Sequence, residues 1–382
     1  MRINKVLVLG VSGTLLAMLL VTGCGSSEDT EPAHAATDTR SCSGTIAVMA
    51  SAGSADETQP AQMNWARVAL DAFNAEHGSS FAIEASNVYD QTDRAAPEAR
   101  RLAADATVVG VVGPVSSSVT EIAGPIFDAA GLAYVSPSAT AVSLTDGHLK
   151  RFFRVVANND EQAEAIVHLV TTTLDPKTVL VVDDREVYST NLTAGVVEGF
   201  EKHGIDFDTA SVDAGQPDYA DVVRKITPST DVIVMPLLDP DDAQRLVDQI
   251  HAAGKTPIIV GGDSMFSLND FDAHGAYVPS YAPDVSKMED GAATVKLYSQ
   301  IFGDLAPFAA TAYVAMETVA TAALDTCRNG QATREGVAEG LPDVALPTTL
   351  LGSPVAFDKH HELVGGRYWM YRIEGGNYRL IP

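Results

Sequence analysis

The sequence predicts an α/β protein of two doubly wound lobes, each a parallel sheet covered by helices, joined by a hinge that the chain crosses more than once. Three observations predict it. Apolar runs of strand length alternate with stretches of helical spacing from residue 44 to residue 263, the pattern imposed by parallel sheets covered on both faces. The alternation comes in two successive sets, and the chain is long enough for two domains. The tail from about residue 275 holds one strand, a helix-rich stretch and a last pair of strands, too little for a third domain, so it completes the other two.

In order, GTIAVMAS (44–51) is a first strand. The following AQMNWARVALDAFNAEHG places Met63, Ala66, Ala69, Leu70 and Phe73 at helical spacing and stops at His77-Gly78. Strand FAIEASNVYD, helix PEARRLAADA (97–106), strand TVVGVV, a helix through 122–130 and strand LAYVS come next, then strand FFRVV. The second set opens with a helix over 159–173 and strand KTVLVVDD, whose turn REVYSTN leads into helix LTAGVVEGFEKHG. Strand DTASV, helix YADVVRKI, strand DVIVMPL, helix PDDAQRLVDQIHAAG and strand TPIIVGGD complete it. The tail adds strand GAYVPS, helices over 289–327, one more short helix, and strands around PVAFD and GGRYWMYRI. This assigns 43–157 with 280–352 to the first lobe and 158–279 with 353–382 to the second.

At the N-terminus, Arg2 and Lys5 precede an apolar run over 6–21 and then Val21-Thr22-Gly23-Cys24, a secretory signal ending in a lipobox. The pattern predicts removal of residues 1–23, lipid on the Cys24 thiol, and a polar, aperiodic stalk over 24–42, which places the protein outside the cytoplasm on the bacterial cell membrane. No second apolar run approaches the roughly 18 residues of a spanning helix. With 25 basic residues against 50 acidic and a formal net charge of −25, nucleic acid and anionic lipid are poor partners. Of three cysteines, Cys42 and Cys327 remain once Cys24 is lipidated. Disulfides persist outside the cytoplasm, so a bridge between them is expected; the alternative is two separate buried thiols.

The turns after two neighbouring strands form the strongest candidate site. GPVSSS and SPSAT stand at the carboxyl ends of strands joined by one helix, so parallel pairing brings Ser116, Ser117, Ser118, Ser138 and Thr140 to one sheet edge. The serine cluster also opens the helix, where unpaired N–H groups and the positive dipole end favour an anion such as a carboxylate. Nucleotide and zinc signatures are absent: there is no GxxxxGK[ST], no GxGxxG after a strand, no CxxC and no HExxH. Neither cofactor nor metal is expected, and no enzyme. Gly262-Asp263-Ser264-Met265 has the look of a hydrolase turn but lacks a partner base, and His360-His361 in FDKHHEL reads as a solvated loop. Asp183-Asp184 ends a strand at the same edge, where capping and loop solvation explain it as well as ligand contact does.

GPVSSS, SPSAT, VVDDREVYSTN and VGGDS, in that order and at these separations, resemble the branched-chain amino-acid-binding proteins of bacterial ABC transporters and, more broadly, the type I periplasmic-binding fold. The resemblance covers nearly all of 45–373, including GSPVAFDKHHEL. It implies that Ser117 and Thr140 hold a ligand carboxylate, that the Ser138 carbonyl meets its ammonium group, and that Asp263 completes the ammonium site where the family usually has Glu. It further implies that Tyr188 closes over the ligand from the second lobe and that Phe308 and Val115 form pocket walls. Leu238 stands where the family often has a second-lobe tyrosine, and the first-lobe loop SAGSADETQPAQ lacks the tyrosine common there. The plainer alternatives are that Ser117 only caps its helix and that Asp263 only ends its strand. The implied function is a solute-binding lipoprotein that hands an amino acid to a membrane permease and its ATPase. Alternatives are a ligand sensor of the same fold and a receptor for an amide, urea or another small metabolite.

Overall fold

Near-continuous apolar runs seek burial on both faces, and the central strands of the two sheets of the computed structural model are built from them. The structure describes residues 41–50, 61–267, 270–289, 291–303 and 305–381. The first sheet contains β1 (Ser43–Ala50), β2 (Ser80–Asn87), β3 (Val108–Val112), β4 (Tyr134–Ser136) and β5 (Phe152–Arg154). Its helices are α1 (Ala61–His77), α2 (Thr92–Ala104) and α3 (Ser117–Ala129). The strands run parallel in the order β2-β1-β3-β4-β5.

The second set follows with α4 (Asn159–Leu169), β6 (Thr178–Asp183), α5 (Val187–His203), β7 (Phe207–Ser211) and α6 (Ala220–Lys225). It continues with β8 (Thr230–Met235), α7 (Pro240–Ala252), β9 (Ile258–Gly261) and β10 (Tyr277–Ser280). The parallel part of this sheet is ordered β7-β6-β8-β9-β10, so both lobes repeat one winding, second-first-third-fourth-fifth. The chain then returns to the first lobe for α8 (Ala292–Phe302), α9 (Thr311–Asp325) and α10 (Arg334–Gly340). It ends on the second sheet as an antiparallel hairpin, β11 (Trp369–Glu374) and β12 (Asn377–Leu380).

The buried helix α9 explains why the tail belongs to both lobes. Nearly every residue from Thr311 to Ala323 is buried, against α1 on one side and β3 and β4 on the other, as expected of a helix that is apolar all round. Trp65 of α1 stacks on Tyr298 of α8 at 4.0 Å and donates its indole N–H to the Leu305 carbonyl at 2.9 Å. Removal of such a side chain from water is worth about 1.5–3 kcal/mol. Cys42 and Cys327 form a disulfide, which joins the start of β1 to the segment just past α9.

Several sequence expectations are corrected. Helix α2 begins at Thr92, a turn before Pro97, and α5 begins at Val187, so Tyr188 sits on a helix rather than in a turn. PVAFD is not a strand: Val355 and Phe357 make only isolated bridges, to Leu346 and Leu363, and the last strand pair is the β11–β12 hairpin with Gly375-Gly376 as its turn. Residues 353–368, assigned to the second lobe, pack on the first, where Val355 is part of the core and Phe357, Leu363 and Tyr368 lie against it. Glu362 of this segment pairs with the fully buried Arg154 of β5, with Nε to Oε2 at 2.7 Å. The remaining Arg154 donors reach the Ala139 and Ala141 carbonyls and the Thr145 hydroxyl. That satisfies the desolvated guanidinium and fixes the turn on either side of Thr140.

Candidate functional site

Parallel strands deliver their carboxyl ends to one edge, and here the edges of the two sheets face each other within the unit formed by residues 40–382. A cavity lies between them, with about 440 Å³ of empty space, part of it open to solvent. The first lobe contributes Tyr89, Val115, Ser116, Ser117 and Ser138. The second contributes Tyr188, Leu238, Asp263 and Ser264, and Tyr281 enters from the crossing that follows β10.

On the first lobe, the turn after β3 is shaped by Gly113. Its φ is +103°, and a Cβ there would stand 2.4 Å from the Met49 carbonyl oxygen of β1, so only glycine permits the strand to turn this close to its neighbour. Ser116 is the N-cap of α3 and its Oγ accepts the Val119 N–H at 3.3 Å. Ser117 Oγ accepts the Ala141 N–H at 3.2 Å, which ties the two site turns together and leaves its own O–H to donate. The N–H groups of Ser117 and Ser118 lie in the first turn of α3, where a helix has no internal acceptor to offer them. Ser138 donates to the Val115 carbonyl at 2.7 Å and accepts from Gln62 Nε2 at 3.2 Å.

On the second lobe, Tyr188 donates its hydroxyl to Asp263 Oδ1 at 2.6 Å, and Gln162 Nε2 approaches the same hydroxyl at 3.4 Å. Gly262 makes the pair possible, because a Cβ at that position would fall 2.1 Å from the Tyr188 hydroxyl. Burial pushes the Asp263 carboxyl up from its ordinary 3.8 to about 6, against the opposing effect of the hydrogen bonds from Tyr188 and Gln162. Ionised Asp263 is therefore a costly group until a cation pairs with it. Burial likewise raises Tyr89, Tyr188, Tyr281 and Tyr368, and the charge of Asp263 adds to the rise in each, so the carboxylate sits among four neutral phenols.

Seven residues predicted from the sequence thus meet at one cavity: Val115, Ser116, Ser117, Ser138, Tyr188, Leu238 and Asp263. Thr140 does not reach the lining; it is fully buried, and its Oγ1 has no hydrogen-bond partner among the described residues. The Phe308 side chain, Cys24, the leader and loop residues 51–60 lie outside the described residues. Ser118 turns across the interlobe gap, its hydroxyl meeting the Glu186 carboxylate and accepting the Val187 N–H at 3.3 Å. Asn191 of α5 accepts the Val142 N–H of the first lobe at 3.0 Å, a second bridge between the lobes. Asp184 accepts the N–H groups of Leu238 and Glu186, a loop-fixing role. His361, expected in a solvated loop, instead stacks on Phe153 at 4.0 Å, and no group suited to hold a metal occurs among the described residues.

Sequence reasoning missed Tyr89, Ser264 and Tyr281. Tyr89 was legible by the rule that found the serines, since NVYD ends β2 at the same edge; Tyr281 was not, because a hinge crossing carries no periodicity.

A family model described as periplasmic binding protein matches residues 45–377. Among curated relatives, a Leu/Ile/Val-binding protein of Rhizobium johnstonii is 26% identical over 324 residues, 82% of this chain and 86% of that one. An amino acid binding protein of Pseudomonas aeruginosa is 25% identical over 295 residues, 74% of this chain and 77% of that one. Among solved structures, a branched-chain amino acid transporter substrate-binding protein of Streptococcus pneumoniae, in complex with isoleucine, superposes with a TM-score of 0.76 at 23% identity, covering 89% of this chain and 99% of that one. A leucine binding protein of Thermotoga maritima gives a TM-score of 0.78 at 17% identity, covering 89% of this chain and 98% of that one.

Proposed function

The chain belongs to the periplasmic binding protein family, and from that premise we propose that it captures a free aliphatic amino acid between its lobes and delivers it to the permease of an ATP-driven importer. The observation that carries the reading is the division of the cavity. Among the described residues, one wall offers neutral hydroxyls and helix-terminal N–H groups and the other offers one buried carboxylate, Asp263. A zwitterion satisfies both walls at once, whereas a neutral amide or a plain carboxylate leaves Asp263 without a counter-charge, and a buried unpaired charge is expensive. Val115 and Leu238 give the ligand side chain an aliphatic surface. The names of the relatives point to Leu, Ile and Val, and isoleucine occupies the streptococcal structure.

A ligand that bridges the two lobes binds the closed arrangement better than the open one, which is all that closure requires. The closed form is the natural signal to a permease. We assign the membrane attachment to lipid on Cys24, on the strength of the lipobox; among the described residues no helix is long and apolar enough to cross a membrane.

The test is calorimetry and thermal melting of the chain from residue 40 onward against leucine, isoleucine, valine, other amino acids, acetamide, urea and simple carboxylates. Leucine, isoleucine or valine should bind and raise Tm, by the equivalent of about 2.7 kcal/mol at a hundredfold excess over Kd. Hits confined to ligands without an ammonium group would replace the ligand class. Mass spectrometry of the membrane-extracted protein should find a diacylglyceryl adduct at Cys24; an unmodified thiol there would remove the anchor.

A further inference from the structure

Helix α5 belongs to the second lobe, where Leu192, Val196 and Phe200 are part of the core, yet what finishes its N-terminus comes from the first. Its N-cap residue, Glu186, has extended backbone and makes no side-chain cap bond of its own. Asp184 takes the Glu186 N–H at 3.1 Å, and the next N–H, of Val187, is accepted at 3.3 Å by the Ser118 hydroxyl across the gap. The same hydroxyl donates to the Glu186 carboxylate, so one oxygen makes both bonds and a charge takes part in one of them. Ser118 lies in the first turn of α3, which places that carboxylate at the positive end of the helix dipole as well.

The Val187 side chain repeats the crossing in apolar form, packing against the first-lobe cluster to which Val119 and Ala141 belong. One turn further along α5, Asn191 Oδ1 accepts the Val142 N–H at 3.0 Å while also accepting from Asn159 Nδ2 of its own lobe at 3.1 Å. None of Ser118, Glu186, Val187 and Asn191 lines the cavity. Separation of the lobes returns the Val187 N–H, the Ser118 hydroxyl and the Glu186 carboxylate to water and uncovers the Val187 side chain; closure recovers all four contacts, whatever the ligand. We propose that the first turn of α5 is a closure latch capped in trans by Ser118, and that Ser118 and Glu186 are positioning residues that set affinity through the closed form rather than through the ligand. The proposal rests on the reading above that a ligand is captured between the lobes, and adds to it a source of affinity outside the pocket. Apparent affinity scales with the fraction of protein in the binding-competent form, so a weakened latch costs every ligand the same factor.

The test compares wild type with Ser118→Ala, Glu186→Ala and the double variant, by calorimetry and stopped-flow dissociation of leucine, isoleucine and valine, with melting temperatures as a check on folding. Each single variant should lose about tenfold in affinity, by the same factor for the three ligands to within about twofold, and the loss should appear in the dissociation rate. The double variant should lose little more than either single one, since each removes the same bond. Amide hydrogen exchange at Val187 should slow on ligand addition in wild type and not in Ser118→Ala. Unchanged affinity in the folded variants overturns the inference. So do losses that differ between ligands, which would place these residues in the pocket, and losses that multiply in the double variant. Should Ser118→Ala not fold, Glu186→Ala and Glu186→Gln carry the test, with Gln recovering part of the loss because it still accepts the hydroxyl. Those results leave the amino-acid receptor intact; failure of leucine, isoleucine and valine alike to bind wild type would remove that reading and this one with it.

Discussion

The two lobes share one strand order and answer opposite electrostatic demands with it. In each, the third and fourth strands deliver residues to the site from their carboxyl ends: β3 and β4 lead to Ser117 and Ser138, and β8 and β9 lead to Leu238 and Asp263. Among the described residues the first lobe lines the cavity without a formal charge, and a helix start supplies N–H groups and a favourable dipole to a carboxylate. The second lobe meets the opposite demand with a buried carboxylate, Asp263. The difference teaches where the free energy is stored. The hydroxyl wall is cheap to hold ready, whereas Asp263 is held at a pKa near 6, a rise of about two units that makes its ionised form cost the fold roughly 3 kcal/mol at neutral pH. A bound ammonium relieves that cost, so ligand binding should be governed by the second lobe more than by the first.

The largest test of this asymmetry is Asp263→Asn. Amino-acid affinity should fall by at least about a hundredfold, since a charge-assisted contact is lost and the ligand's ammonium is left buried without a counter-charge. The ligand-free protein should at the same time melt higher at pH 7.5, because a buried ionised group has been removed. An affinity loss accompanied by a lower melting temperature would mean that Asp263 supports the fold rather than the ligand.

Acidification should imitate the substitution. The folded pKa of Asp263 lies above its unfolded value, so its destabilising contribution is absent below about pH 4 and grows as pH rises through 6. For binding the direction reverses: affinity should decline as pH falls through about 6, approaching tenfold per unit, and the Asp263→Asn profile should be flat over the same range. A wild-type titration without that decline breaks the link between the carboxylate and the ligand.

On the first lobe, Ser117→Ala should cost about tenfold in affinity and no more, since the helix N–H groups remain. A loss as large as that of Asp263→Asn would erase the proposed contrast. The smallest effect is expected at Glu317, a carboxyl of α9 outside the cavity lining, pushed up to about 7 by burial and by the charge of Glu76. Glu317→Gln should leave binding unchanged and raise Tm at pH 8, where the wild-type side chain is ionised, but not at pH 5; differential scanning calorimetry at the two pH values reads it.

The fold was legible because its two sheets are made of runs such as VVGVV and TVLVVD, whose continuous apolarity fits only a strand covered on both faces. The serine turns were legible for a related reason, since the winding rule fixes which strand ends share an edge, whereas Asp263 was implied only by the family resemblance. What escaped notice was long-range or locally ambiguous. REVYSTN has the composition of a turn, yet Thr190 bonds its hydroxyl back to the Glu186 carbonyl and the helix starts there. PVAFD has the composition of a strand, but its neighbours offer it only single bridges. Tyr281 and Tyr368 come to Asp263 from separate hinge crossings, a convergence that depends on packing rather than on any pattern within either segment.

The Cys42–Cys327 bond also has a mechanical side. Any load arriving along the chain from before Ser41 enters at the foot of β1, the end of the strand opposite the cavity edge. Strand β1 lies between β2 and β3, so such a load would shear two rows of hydrogen bonds rather than unzip one. With the disulfide in place it is passed, before it reaches those rows, to the end of α9, the most deeply embedded helix of the first lobe. A protein held by its N-terminus would then be gripped by one lobe alone, leaving the other free to swing on its hinge without the tether working against it.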